Sequence, residues 1–310
     1  MRFLFGRGMI SDDTEHTLMV AQALLAHPQD ANAFQRVLGW KFRWWFAGLP
    51  GGVGLATAKS CLKLWIGFPA NKAAVKSAGS GPAMRSAIIG AHFVNDPARQ
   101  REFVLASSRL THRGWQAETA ALAVAECVAL AVQIQRQPEP KEVLEVLRGL
   151  TAESEWQNWL QQIESSLAAN RSVSDFVHTV GLKKGVTGYS LHVVPVAIYA
   201  WLRHPGDFRT AMINTLERGG DTDTVGAILG ALVGAVVGKQ RIPRDWLDGI
   251  CDWPRSISLM ERVAAKLAEQ NQLQDPNGPV RYFWPGQILR NILFLVIVLA
   301  HGFRRLAPPY

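Results

Sequence analysis

One segment limits the fold more than any other part of the chain: residues 219–238, which read GGDTDTVGAILGALVGAVVG. From Val225 onwards it contains only small or aliphatic apolar residues, a composition typical of a helix that the protein buries. Its glycines recur with a strict four-residue period, at Gly226, Gly230, Gly234 and Gly238. Residues four apart share one helix face. Because each glycine weakens a helix interior by about 1 kcal/mol relative to alanine, the stripe predicts a compensating close approach by another helix.

A membrane-spanning helix that dimerises through its glycines is the alternative for this segment. The apolar run from Val225 to Gly238 is 14 residues long. A membrane span needs about 20 residues, so the length favours a buried helix of a globular domain.

Four oxygen-bearing side chains stand at the start of this helix, namely Asp221, Thr222, Asp223 and Thr224. Carboxylates at the mouth of a buried helix cost several kcal/mol unless a positive charge pairs with them, on the order of the loss for an unpaired buried ion. A hard divalent cation is the natural partner for oxygen ligands packed this closely.

A second oxygen-rich cluster lies near the N-terminus, where residues 10–15 read ISDDTE. Taken alone, it predicts a helix start with Asp12 as the N-cap and Glu15 completing a capping box. Taken together with residues 221–224, it also predicts metal ligation, because Ser11, Asp12 and Asp13 likewise stand at the start of an apolar helix. Two such clusters can converge on a centre for two Mg²⁺ or Mn²⁺ ions.

Charge and cysteine content narrow the class of protein. The net charge of +8 fits a phosphate-bearing ligand or a solvated basic surface. The chain has no compact Lys/Arg run interleaved with aromatics, so sequence-specific nucleic-acid binding is not expected. Its three cysteines, Cys61, Cys127 and Cys251, form no CxxC pair, and the N-terminus has no signal-peptide pattern. We therefore expect a cytoplasmic protein without a disulfide framework or zinc site.

Helical periodicity dominates the chain and alternating strand patterns are scarce, which predicts an all-α fold. Residues 117–135 and 156–167 are clear amphipathic or apolar helices, and we expect one domain over residues 1–275. The sequence changes character in residues 276–310, a C-terminal extension with an apolar helix at 288–303 flanked by arginines. This extension either packs on the domain or lies at a membrane surface as a peripheral element. It is too short to span a membrane comfortably.

Four motifs, in this order, resemble the ADP-ribosylglycohydrolase family: SDDTEHT from Ser11, GSGPAMR from Gly79, Thr111-His112, and GGDTDTVGA from Gly219. The resemblance covers residues 10–267. It implies an orthogonal multi-helix domain with two Mg²⁺ or Mn²⁺ ions at the base of an ADP-ribose cleft. The implied activity is metal-dependent removal of ADP-ribose from a modified protein, arginine-linked by preference, or from an ADP-ribose-containing small molecule.

The same resemblance implies roles for individual residues. The implied metal ligands are Ser11, Asp12, Asp13, Asp221, Asp223 and Thr224. The implied substrate-binding residues are Gly79, Ser80, Gly81, His112, Gly188 and Tyr189. Ser80 stands where relatives usually have asparagine. Asp13, and after it Asp12, is the candidate to accept a proton from the attacking water.

One departure from the family pattern leaves alternatives open. Relatives begin with a helix that carries a GDALG-like motif and a following glutamate, whereas SDDT begins here at residue 11. A chain without that segment is expected either to work without it or to be a catalytically impaired ADP-ribose-binding or immunity-type protein. A third hypothesis, a membrane-peripheral structural protein, rests on the C-terminal apolar element alone.

Overall fold

The protein is described by a computed structural model covering residues 6–273 and 278–306, with side chains at 272–273, 301–302 and 304–306 left out. Its helices are α1 (Asp12–Ala26), α2 (Ala31–Ala47), α3 (Leu55–Trp65), α4 (Ala87–His92), α5 (Pro97–Thr111), α6 (Trp115–Ile134), α7 (Pro140–Arg148), α8 (Ser154–Ala168), α9 (Val173–Thr179), α10 (Ser190–Arg203), α11 (Phe208–Leu216), α12 (Thr222–Val237), α13 (Arg244–Asp248), α14 (Ile257–Leu273) and α15 (Gly286–Leu306). Short 3₁₀ helices lie at Ala70–Lys72, Ala83–Arg85 and Lys239–Arg241.

Strand structure in the described residues is limited to one small sheet. The two-residue strands β1 (Val75–Lys76) and β2 (His112–Arg113) pair in parallel, with Val75 opposite His112. The prediction of an all-α fold is therefore confirmed, and this sheet matters because it places His112 beside the segment that follows β1.

Helix α6 runs between two hydrophobic cores. Its residues Ala120, Ala123, Val124, Cys127, Val128 and Ala131 belong to the core formed with α7 to α12. Its residues Ala121, Leu122 and Ala125 belong to the core formed with α1, α2, α5 and α14. Among the described helices, α6 is also the one that is long and apolar enough to cross a membrane. Of its most apolar 18 residues, 67% are buried inside the protein.

The glycine stripe of α12 packs against α11 over its first half. A Cβ built at Gly226 would lie 3.1 Å from the Leu216 side chain of α11, and one at Gly230 would lie 3.9 Å from Phe208. No described atom comes within 4 Å of a Cβ at Gly234. The predicted close approach by another helix is therefore found over the first half of the stripe, where α11 covers the glycines with side chains, and is not found at Gly234.

A very close helix crossing lies elsewhere, between α4 and α6. A Cβ at Gly90 would fall 2.2 Å from the carbonyl oxygen of Ala125. Only glycine allows this approach, so Gly90 holds α4 against the central helix.

The start of α1 also differs from its predicted form. The N-cap is Ser11, in an extended conformation and without a side-chain capping bond. Glu15 makes no capping box. It is 1% exposed, and its carboxylate accepts a 2.6 Å hydrogen bond from Trp45 Nε1 and lies 2.7 Å from Arg255 Nη1. Glu15 instead forms an ion pair with the buried Arg255 guanidinium, which would otherwise be left uncompensated in the interior.

Helix α15 is attached to this network by its polar side chains. Gln287 Nε2 donates to Glu15 Oε1 over 2.6 Å, and Arg290 pairs with Asp252 at 2.7 Å. Asn291 Nδ2 donates to the Gly48 carbonyl over 2.7 Å. The C-terminal helix therefore lies against the N-terminal helices, behind the first turn of α1.

Candidate active site

The first turns of α1 and α12 meet in one acidic cluster. Carboxylate oxygens of Asp12, Asp13 and Asp223 all lie within 4.8 Å of one another. The Ser11 hydroxyl donates to Asp13 Oδ2 over 2.6 Å, and the Thr224 hydroxyl also hydrogen-bonds to Asp13. Asp221 adjoins the cluster through a hydrogen bond with Asp223. The structure thus brings together all the residues that the sequence suggested as metal ligands.

Burial and mutual repulsion make this cluster electrostatically unfavourable by itself. Burial, and then the charges of neighbouring carboxylates, raise the pKa of Asp12 to about 8. Burial likewise raises the pKa of Asp13, although its hydrogen bond from Ser11 opposes the change. The pKa of Asp221 rises to about 6, through burial and through its contact with Asp223. A positive charge in the cluster would reverse these shifts.

Asp13 also carries a buried oxygen without a hydrogen-bond partner. The residue is 1% exposed, and its Oδ1 atom accepts no hydrogen bond from the described residues. Buried acceptors are rarely left in this state. Together with hard oxygen donors from two helices, this free acceptor fits a divalent cation of the Mg²⁺ or Mn²⁺ type.

A tight backbone crossing fixes the position of Asp221. The Asp221 amide donates to the carbonyl of Val186 over 2.7 Å. Gly220 adopts φ +85°, and a Cβ there would lie 2.0 Å from that same carbonyl oxygen. Gly185 has φ +105° and is also in close contact, with a Cβ position 2.7 Å from the Gly220 nitrogen. Glycines on both sides of the crossing therefore let the segment before α12 approach the loop before α10.

The glycine-rich loop lies directly beside the cluster. Ser80 is 7% exposed, and its hydroxyl is 3.5 Å from Asp221 Oδ2. Its amide donates to the Gly188 carbonyl over 3.1 Å. A Cβ at Gly188 would be 3.2 Å from Asp221 Oδ2. The loop and the residues before α10 thus form one wall with the start of α12.

His112 packs against Gly79 and Gly81 of the same loop. Its ring lies where side chains at Gly79 and Gly81 would be, since a Cβ at either glycine would come within 3.0 Å of the imidazole. Its Nδ1 atom is 2.8 Å from Thr111 Oγ1. Burial and the charge of Arg85 lower the pKa of His112 to about 3. His112 is therefore a neutral, 4% exposed support for the loop, not the surface residue that its polar sequence context alone would suggest.

Arg85 is a site residue that the sequence reasoning did not assign. It is fully buried, and its guanidinium donates to the Gly81 carbonyl over 3.0 Å and to Thr111 Oγ1 over 2.8 Å. It also lies 5.1 Å from the Phe42 ring centre. Arg85 thereby ties the glycine loop to the residue that orients His112. Its place in the GSGPAMR motif was the signal that could have identified it.

Tyr189 lies on the open side of this wall. The ring is partly buried, makes an edge contact with His192 at 5.0 Å, and its hydroxyl donates to Glu155 Oε1 over 2.8 Å. Gly79 and Tyr189 form an antiparallel bridge. The six residues suggested for substrate binding therefore lie together, in a wall that borders the acidic cluster.

Comparisons with known proteins point to one family. The sequence profile of the family described as ADP-ribosylglycohydrolase matches residues 1–277. A protein of undescribed function from Archaeoglobus fulgidus is 33% identical over 84% of this chain and 81% of its own length. The ADP-ribosyl-[dinitrogen reductase] glycohydrolase of Rhodospirillum rubrum is 27% identical over 84% of this chain and 80% of its own. ADP-ribosylhydrolase ARH3 of Bos taurus is 30% identical over 55% of this chain and 53% of its own.

A solved structure supports the fold independently. A chain of an ADP-ribosylglycohydrolase-related protein complex superposes with a TM-score of 0.65 and 24% identity, over 86% of this chain and 83% of that one. The resemblance inferred from four sequence motifs is confirmed by the family profile. The chain belongs to the ADP-ribosylglycohydrolase family.

Proposed function

We propose that this protein is a metal-dependent hydrolase that removes ADP-ribose from a modified protein, with arginine-linked ADP-ribose as its preferred substrate. The observation that carries the proposal is the buried Oδ1 atom of Asp13, which has no described hydrogen-bond partner and lies beside two other carboxylates. The cluster is continuous with a glycine loop, through the contact between Ser80 and Asp221.

Six residues would hold the cations: Ser11, Asp12, Asp13, Asp221, Asp223 and Thr224. Bound Mg²⁺ or Mn²⁺ supplies positive charge that orients hydroxyl groups and lowers the pKa of water. The carboxylates supply hard oxygen ligands from two helices, and Ser11 and Thr224 fix the orientation of Asp13 by their hydrogen bonds. Loading these ions would also oppose the effects of burial and of neighbouring carboxylates, which raise the pKa of Asp12.

The glycine loop would hold the diphosphate of ADP-ribose. With no side chains at Gly79 and Gly81, backbone N–H groups are accessible to a phosphate. Tyr189 offers an aromatic ring at the edge of the wall for the adenine base. The net charge of +8 also favours an anionic ligand.

The reaction requires water to attack the anomeric carbon of the ribose. As the new C–O bond forms, the glycosidic bond to the modified side chain breaks, and a positive charge develops on the sugar ring. Asp13, with Asp12 as the more exposed second candidate, accepts the proton of that water. The leaving guanidine group takes up a proton in turn.

The names of relatives support this substrate class. Relatives in the family carry names that describe hydrolysis of ADP-ribosyl groups, including the ADP-ribosylarginine hydrolase Tri1 of Serratia proteamaculans, which is 29% identical over 27% of this chain. The protein's thiols are all unpaired, which supports a place in the reducing cytoplasm.

The decisive experiment is release of free ADP-ribose, followed by chromatography, from protein ADP-ribosylated on arginine. Parallel substrates carry serine-linked ADP-ribose or are small ADP-ribosyl esters. We expect release that requires Mg²⁺ or Mn²⁺, stops with chelator, and falls by at least about a hundredfold in Asp13→Asn. Asp248→Asn, an exposed carboxylate on α13, is the matched control and should retain full activity.

The alternative is an ADP-ribose-binding or immunity-type protein without turnover. Tight ADP-ribose binding by calorimetry, with no release from any of the three substrates, would establish that alternative and exclude the hydrolase. Release that is equal in wild type and Asp13→Asn would place the chemistry at a different residue.

A further inference from the structure

Among its described side chains, the outward face of α15 is apolar. Its exposed side chains are Leu289, Ile292, Leu293, Leu295, Val296, Val298, Leu299 and Phe303, each at least 40% exposed. The side chains turned toward the protein include Gln287, Arg290 and Asn291, which are buried and polar. The helix is therefore inverted relative to an ordinary surface helix, which buries its apolar stripe.

Helices α2 and α3 extend this apolar surface. Trp44 contacts Trp40, Trp65 and Trp284, with ring centres 5.8, 5.7 and 5.4 Å apart. Further exposed apolar side chains on this side are Leu49, Leu55, Leu62, Ile66 and Phe68. The loop after α2 touches α15, because a Cβ at Gly51 would lie 2.5 Å from the Phe294 ring. We call this combined surface, made by the exposed side chains of residues 40–68 and 283–303, the outer apolar face.

Exposed apolar groups are concentrated on this face. Among the described residues, the large apolar side chains exposed elsewhere are Ile213, Ile250 and Trp253, and Trp253 itself contacts Phe283 at the edge of the face. Patches of this extent on a folded protein mark a surface that contacts a partner or a membrane.

The charge of the surrounding sequence is uniformly positive. From residue 31 to residue 95 the chain has eight basic residues and no Asp or Glu, namely Arg36, Lys41, Arg43, Lys59, Lys63, Lys72, Lys76 and Arg85. Residues 276–310 contain four arginines and again no acidic residue. The helices α2 and α3, which carry part of the outer apolar face, hold five of these cations, namely Arg36, Lys41, Arg43, Lys59 and Lys63. The side chains of Arg85 and Arg290 are buried.

An apolar face accompanied by positive charge favours an anionic lipid surface over a second copy of the chain. A second copy of the chain would bring the same cations against their like, which opposes self-association. An anionic lipid surface offers apolar chains for α15, negative headgroups for the lysines and an interface where tryptophan is favoured. Arg43 over Trp40 and Lys63 over Phe68 are cation–aromatic pairs on this face, with apolar stems and charged ends suited to such an interface.

We propose that the outer apolar face docks the protein on anionic phospholipid membranes, with α15 lying in the plane of the interface. A cavity of about 390 Å³ opens in the same face, lined by Trp40, Trp44 and Trp284 together with Lys41. Its mostly apolar walls, with the Lys41 ammonium group and the Arg255 guanidinium among them, provide a place for one lipid molecule. The proposal does not depend on the hydrolase activity, since none of these residues belongs to the acidic cluster.

The test is flotation of the full chain with vesicles of phosphatidylcholine alone and of phosphatidylcholine with one-third phosphatidylserine. We expect binding to the anionic vesicles that is at least about tenfold tighter and weakens with added salt. The double variant Leu293→Glu with Val296→Glu should lose about tenfold or more in binding. Both side chains are exposed, so circular dichroism should show an intact fold.

Matched controls separate this face from general effects of charge. Ile213→Glu introduces a carboxylate at an exposed apolar position on α11, and it should leave vesicle binding unchanged. Lys59→Glu on α3 should weaken binding, whereas Lys141→Glu, an exposed lysine on α7, should not. Equal binding to both vesicle types, or no binding, would overturn the proposal. So would a dimer in light scattering that the α15 double variant dissociates, because a second copy would then cover the face.

Discussion

Replacing Asp223 with asparagine should stabilise the protein without metal and abolish its stabilisation by metal. Asp223 shares a cluster with Asp12 and Asp13, whose carboxylate oxygens all lie within 4.8 Å of one another. Two unit charges at this separation repel by about 1 kcal/mol in bulk water and about 3 kcal/mol at an effective dielectric constant of about 20. Because Asp223 is exposed, solvent screening favours the lower value. We expect Asp223→Asn to raise the free energy of unfolding of chelator-treated protein by roughly 1–2 kcal/mol.

The same variant should lose most of the stability that Mg²⁺ adds to the wild type. A ligand at one hundred times its Kd stabilises the folded state by about 2.7 kcal/mol, and this gain should be largely lost in Asp223→Asn. The assay is urea unfolding at pH 8.5, with chelator or with saturating Mg²⁺. This pH is chosen because burial and neighbouring carboxylates raise the pKa of Asp12 to about 8, and protonation at lower pH would hide the repulsion.

Asp248→Asn is the control for a general effect of removing negative charge, and it should keep the metal response of the wild type. The reasoning is refuted if Asp223→Asn destabilises the metal-free protein, or if the variant gains as much stability from Mg²⁺ as the wild type does.

Three further substitutions test other parts of the account. Gly220→Ala should lower the free energy of unfolding in urea by several kcal/mol, because its Cβ would lie 2.0 Å from a backbone carbonyl oxygen. Gly206→Ala, also at positive φ but with open space around it, should lower it by about 1 kcal/mol. Equal losses would contradict the close crossing. Glu15→Gln should lower the free energy of unfolding by about 3–5 kcal/mol because it leaves a buried guanidinium unpaired, while Glu164→Gln, in an exposed pair, should change it by less than about 1 kcal/mol. Gly81→Ala should displace the His112 ring and thereby weaken ADP-ribose binding about tenfold in calorimetry. The stabilisation of the folded protein by Mg²⁺ should stay unchanged. A change in both would show that the substitution disturbs the whole site.

Local sequence patterns predicted the parts of the site that adjoin in the chain. Ser11 to Asp13 and Asp221 to Thr224 each open a helix, so their oxygens were expected to lie together within each cluster. The convergence of the two clusters came from chemistry, because hard oxygen ligands crowded at two buried helix starts fit one cation centre. The structure places them accordingly, 4.8 Å or less apart for three carboxylates.

Long-range partners could not be predicted in this way. The role of Glu15 depends on Arg255 and Gln287, which follow it by 240 and 272 positions in the chain. From sequence alone, the nearest explanation was a helix cap. In the same way, the glycine period identified one face of α12 but not the side chains of α11 that would cover part of it. The role of Arg85 was missed because its partners are the carbonyl of Gly81 and residues of α5.

The central claim is that the first turns of α1 and α12 form a divalent-metal centre beside an ADP-ribose-binding glycine loop. A crystal grown with Mn²⁺ and ADP-ribose tests it most directly, through the anomalous signal of the metal. We predict anomalous peaks bounded by Asp12, Asp13 and Asp223, with the diphosphate along residues 79–81. Ordered ADP-ribose elsewhere on the protein, or saturating Mn²⁺ with no peak at these carboxylates, would contradict the claim.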